Sequence, residues 1–248
     1  MAADGTSPFP IIDFSTTHRT MALICIDYLR SNWLNDWELS NHRPDGHGKQ
    51  NSSVAIVRMK YPFIDYAINN WHHHFFECDG SDQEISVKLD DLMHPKSKSF
   101  LSCLDLMGFD SRPGKISPLH VAAAKGLYHY TSHLLEQGQD VNVLDPESRT
   151  TLHRAAEHGK HRVVQTLLKH GAANDLDDYA GLKPLHLAAS NNHYAVVKLL
   201  LESGVDPFTS KTKEHLVRKC GTLNKRNTHR VRMHLRTYGK RASIYTSP

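Results

Sequence analysis

The 248-residue sequence has four cysteines, Cys25, Cys78, Cys103 and Cys220, and no two of them form a C-x-x-C pair. That scatter excludes a dense disulfide framework and suits free thiols in a reducing compartment. Long apolar runs are lacking as well. The longest near the N-terminus, Met21 to Ile26, falls far short of the ~20 residues that cross a bilayer. The opening MAADGTSPFPIID has neither the basic nor the hydrophobic region of a signal peptide. These absences predict an intracellular, cytoplasmic protein with no membrane segment.

Signatures of catalysis are missing too. None of the Gly-Lys pairs, at 48–49, 114–115, 159–160 and 239–240, is followed by the serine or threonine of a phosphate-binding loop. No nucleophile elbow or zincin helix occurs. The expectation is a non-enzyme that uses no cofactor and no metal. A composition of 39% hydrophobic and 23% charged residues nevertheless supports a packed core and excludes wholesale disorder.

The formal net charge of +4 is unevenly spread. Residues 209–248 hold eleven lysines and arginines against Glu214 alone, a local net of +10, which leaves about −6 for the rest. The segment reads as a basic, disordered tail. It could attract phosphates in a salt-dependent way, which makes nucleic-acid association the alternative function. Its only aromatics, Tyr238 and Tyr245, are too far apart to form a stacking platform.

What is present is a repeat. SPLHVAAAKG (117–126), TTLHRAAEHG (150–159) and KPLHLAASNN (183–192) place Leu119-His120, Leu152-His153 and Leu185-His186 at intervals of 33 residues. Leu134-Leu135, Leu167-Leu168 and Leu200-Leu201 keep the same register, followed by Gly138, Gly171 and Gly204. Ser117 and Thr150 are good helix N-caps, and Pro118 and Pro184 sit where a missing N–H costs nothing. The alanine pairs at 122–123, 155–156 and 188–189 let neighbouring helices approach closely. The three glycines suit the left-handed residue that ends a helix. Helix, turn, helix and extended finger then stack as a solenoid.

This pattern resembles the ankyrin repeat, most closely in the middle copy, with His161, Val163-Val164, Ala172 and Asn174. The resemblance implies that the three LH histidines tie adjacent loops together, and that protein partners bind at finger tips and the exposed side of the first helices. The implied partner-binding residues are Glu147, Ser148 and Arg149 in one finger, Asp178 and Tyr179 in the next, and Arg154, Glu157, His158, Ser190 and Asn191 on the first helices.

Upstream, Met21, Ile24, Cys25, Tyr28 and Leu29 recur at helical spacing, and Trp33 and Trp37 extend the stripe. A polar loop over 40–53 precedes a second helix starting near Pro62. Its wheel gathers Ile64, Ala67, Ile68, Trp71, Phe75 and Cys78 on one buried face. On that wheel His72, His73 and His74 point to about 80°, 180° and 280°. They cannot chelate one ion together, and the expectation is that they rim or solvate the helix.

HRTMALICIDYL, a loop, PFIDYAINNWHHH and then the repeats resemble the segment joining the NACHT ATPase to the ankyrin array in fungal NACHT-ankyrin proteins of the NOD-like receptor type. The residues of such an ATPase are not in this sequence, so nucleotide switching is not implied. The resemblance implies a sensor or scaffold. The expected architecture is all-α: a disordered stretch over 1–15, a helical connector over 16–108, three repeats over 110–142, 143–175 and 176–208, and the tail over 209–248. Loss of the repeat beyond 208 predicts that Val196, Val197, Leu200 and Leu201 are left partly uncovered.

Overall fold

The computed structural model describes residues 13–31, 57–78, 82–109 and 114–205. The expectations for Trp33, Trp37, the 40–53 loop and the basic tail lie outside those residues. The chain divides into two compact units between Met107 and Gly108.

The first helix, α1, spans Phe14–Arg30 and starts earlier than the sequence suggests, because Asp13 caps it by accepting the Ser15 N–H at 3.0 Å. Residues 13–15 therefore belong to the helix and its cap, contrary to the disorder expected there. The buried stripe is Ala22, Cys25, Ile26 and Leu29, and Ile24 is exposed instead. The difference is a rotation of the face, set by packing along α2, Ile64–Glu77. Pro62 lies in the turn just before α2, where its missing N–H has no helical bond to lose. The face of α2 is buried as its spacing predicts: Ile64, Ala67, Ile68, Trp71, Phe75 and Cys78.

Two further helices follow in this unit, α3 over Gln83–Leu92, capped by Asp82, and α4 over Lys98–Met107. Arg19–Asp82 at 2.6 Å, Arg30–Asp91 at 2.8 Å and Lys88–Asp27 at 2.7 Å link α1 to α3 or its cap. Their exposure makes each worth little. The core of Trp71, Phe75, Ile85, Leu89, Phe100 and Leu104 holds the unit together. A void among Leu29, Ile68, Trp71 and Phe100 measures about 10 Å³. Small-molecule sites need roughly 300 Å³ or more, so it is a packing gap.

The described residues of the second unit form three helix pairs: α5 Pro118–Lys125 with α6 Tyr128–Glu136, α7 Thr151–Glu157 with α8 His161–Lys169, and α9 Pro184–Ser190 with α10 Tyr194–Glu202. The alanine pairs at 122–123, 155–156 and 188–189 are fully buried, so the first helices pack closely side by side. Leu134, Leu167 and Leu200 are buried between the layers, while Leu135 and Leu168 pack at the margin. The four residues expected to be uncovered on α10 are fully buried in one cluster with Val163, Val164, Leu167 and Val205. Their i, i+1, i+4, i+5 spacing turns them towards α8 and α9.

Each pair turns at a left-handed residue in 33-residue register: Gly126 at φ 90°, Gly159 at 66° and Asn192 at 60°. At Gly159 the constraint is also steric, since a Cβ would clash with the imidazole ring of His193. That imidazole uses its other nitrogen, Nε2, to reach the Glu157 carbonyl at 2.9 Å. Gly159→Ala combines left-handed strain with displacement of this ring. It is expected to destabilise the array by about 1–3 kcal/mol, read as a shift in urea midpoint. An unchanged midpoint would contradict the packing.

Candidate partner-binding surface

The LH histidines act along the stack, not around one centre. Nδ1 of His120 accepts from the Ser117 N–H at 3.3 Å, Nδ1 of His153 from the Thr150 N–H at 3.1 Å, and Nδ1 of His186 from the Lys183 N–H at 2.8 Å. The proton of the neutral ring is therefore on Nε2. His120 Nε2 donates to the Arg149 carbonyl at 3.1 Å and His153 Nε2 to the Leu182 carbonyl at 3.0 Å. Each ring thus closes its own helix cap, and those of His120 and His153 also hold the next finger.

Burial pushes the pKa of His120 and of His153 below the ordinary histidine value, and their bonds to the finger carbonyls offset this only in part. A folded pKa below the unfolded ~6.5 means the contribution is complete above that pH and is lost as pH falls through it. Protonating Nδ1 would also remove the acceptor for the cap N–H. The array is expected to melt lower at pH 5 than at pH 7.5, each kcal/mol lost moving Tm by about 4–8 °C. Equal melting temperatures would contradict the buried neutral tautomer.

Two fingers are built on aspartates 33 residues apart. Asp145 Oδ1 accepts the Glu147 and Arg149 N–H groups at 2.8 and 3.0 Å, and Asp178 Oδ1 accepts those of Ala180 and Leu182, each at 2.9 Å. Asn142 Oδ1 accepts the Ala173 N–H at 2.9 Å, and the Tyr179 N–H donates to the Glu147 carbonyl at 2.9 Å. These bonds lay the fingers edge to edge.

Arg154 reaches Asp145 at 2.6 Å and Glu147 at 3.3 Å; Arg149 reaches Asp178, Glu147 and Glu157, each at 3.1 Å. Side-chain exposure is 12% for Arg154, 17% for Arg149, 2% for Asp178 and 0% for Asp145. Arg149, Arg154, Glu157 and Asp178, expected on the partner surface, thus form an internal ion-pair network that fixes fingers to first helices. Desolvating these carboxylates is tolerable only because each is paired and hydrogen-bonded.

The other expected residues divide differently. Tyr179 is 86% exposed. Glu147, His158 and Asn191 are exposed, and Ser148 and Ser190 are half-buried. Ser148 holds a left-handed φ of 55° that shapes the turn. Sequence reasoning missed Leu144 and Leu176, exposed apolar residues on the fingers at 54% and 38%. It also missed Asp145, although the 33-residue interval to Asp178 was there to find.

The histidine triplet needs one correction. The splay around α2 holds for His73, which is largely exposed, but His74 is buried, not on the rim. Its Nε2 lies 2.7 Å from Tyr66 Oη and its Nδ1 2.9 Å from Nδ1 of His18 on α1. Burial, then the charges of His18 and His73, lowers its pKa. Among the described residues no group of three or more His, Cys, Asp or Glu is placed to hold a metal ion.

Residues 119–211 match the family model for ankyrin repeats, in three copies. The chain therefore carries three ankyrin repeats, and its fold class is all-α. No curated protein matches it. Among solved structures it is similar to the human ASB11 ankyrin repeat domain, at 26% identity over 49% of this chain, with a TM-score of 0.44. The match spans 54% of that domain. No described helix is long and apolar enough to cross a membrane.

Proposed function

We propose that this protein is a non-enzymatic protein-interaction module that binds a partner on the exposed edge of its ankyrin fingers. The observation that carries the reading is Tyr179, 86% exposed. Its backbone is fixed against the neighbouring finger, and Leu144 is exposed on that finger. A rigidly mounted aromatic with an apolar neighbour is the type of anchor that interfaces favour. Glu147, Ser148, His158, Ser190 and Asn191 supply polar surroundings, and the Arg149–Arg154 network keeps the edge rigid.

The resemblance of the preceding helices to the connector of fungal NACHT-ankyrin proteins supports a sensor or scaffold role in NOD-like receptor type signalling. Three buried, unbridged thiols, Cys25, Cys78 and Cys103, suit an intracellular location. In affinity capture from the native cell extract, Tyr179→Ala is expected to lower partner recovery about tenfold or more, a loss of at least ~1.4 kcal/mol, while leaving the melting temperature unchanged. Recovery equal to wild type would overturn the reading. Arg154→Ala is unsuitable for this purpose, since it strands the buried Asp145.

A further inference from the structure

The finger edge keeps a surplus of negative charge after its internal pairs are counted. Residues 139–148 and 172–182 contain no lysine or arginine. Asp140, Asp175 and Asp177 are exposed and form no ion pair among the described residues. Together with Asp145, Glu147, Glu157 and Asp178 they make seven carboxylates against the two guanidiniums of Arg149 and Arg154, a formal net of −5. Leu144, Leu176 and Tyr179 expose apolar surface on the same fingers. An edge of this kind fits a ligand that is basic and also carries aliphatic side chains.

Such a segment occurs in the chain itself. Residues 206–248 follow directly on Val205, the last described residue after α10. Between Lys211 and Arg236 lie nine lysines and arginines against Glu214, with Leu216, Val217, Leu223, Val231, Met233 and Leu235 among them. At ~3.3 Å per extended residue, twenty residues reach about 65 Å, ample to pass from the third repeat to the fingers of the first two.

Resting on the proposed role of this edge as the binding surface, we infer that it takes the basic segment 211–236 of the same chain as an intramolecular ligand. Lysines and arginines meet Asp140, Glu147, Asp175 and Asp177, and an aliphatic side chain meets Tyr179 and Leu144. The consequence is self-occlusion: a partner must displace the segment, and raised salt or modification of its lysines exposes the edge.

The test is zero-length carbodiimide crosslinking of the full chain with no partner present, using equal parts of ordinary and nitrogen-15-labelled protein, read by mass spectrometry. Bonds from Lys211, Lys213, Lys219 and Lys225 are expected to concentrate several-fold on Asp140, Glu147, Asp175 and Asp177 relative to Glu136 and Glu202. Glu202, close to Lys211 in sequence, sets the yield that proximity alone gives. The excess should vanish in Asp175→Asn/Asp177→Asn and in about 0.5 M salt, where the Debye length shrinks to roughly 4 Å. Yields no higher than those on Glu202 would overturn the inference, as would bonds chiefly between labelled and unlabelled chains, which identify a second copy as the occupant. Because no partner is present, this failure is distinct from an unaltered partner recovery with Tyr179→Ala.

Discussion

Asp145→Ala should destabilise the ankyrin array by about 3–5 kcal/mol, the usual cost of removing one member of a buried, hydrogen-bonded ion pair. The carboxylate is fully buried, receives two backbone N–H groups in its own turn and meets Arg154 at 2.6 Å. Its removal leaves those donors and a guanidinium only 12% exposed without their acceptor. The finger would lose the turn that presents Arg149, whose carbonyl receives the His120 Nε2–H. Urea denaturation followed at the helix signal would show the loss. A change under about 1 kcal/mol would mean that the network is an exposed ion pair of the weak kind.

The second large effect belongs to the other unit. Trp71 is 1% exposed and packs in a core with Phe75, Phe100 and Leu104. Trp71→Ala is expected to cost about 3–5 kcal/mol, from lost burial and the cavity left behind. The chain comprises two compact units, so the loss should appear as an earlier transition of the first unit, with the array's transition unmoved. Differential scanning calorimetry separates the cases. A single transition shifted as a whole would show that the units unfold together.

Much of the array was legible because a 33-residue period carries both halves of each repeat, and LH, alanine-pair and glycine positions all recur in phase. The polar lattice between repeats was less so. Arg149, Arg154 and Asp178 look like ordinary solvent-facing charges when each is taken alone. They prove internal because their partners lie 29 residues away on the next finger, as Arg149 and Asp178 do, or nine away across a turn, as Arg154 and Asp145 do. His74 shows the same limit: the wheel of α2 gives its direction, but the ring it meets, His18, is 56 residues earlier on another helix. Ile24 falls on the helical stripe by spacing, but the register of α1 against α2 buries Ala22 and Ile26 beside Cys25 and Leu29 instead.

Tyr179 is the residue on which the functional account turns, and photocrosslinking within the native cell tests it most directly. A photoreactive phenylalanine analogue placed at position 179 should yield a discrete crosslinked species to another protein. The same group at Gln165, exposed on α8, should yield none. Equal yields from both positions, or a partner caught only from position 165, would contradict the finger edge as the binding surface.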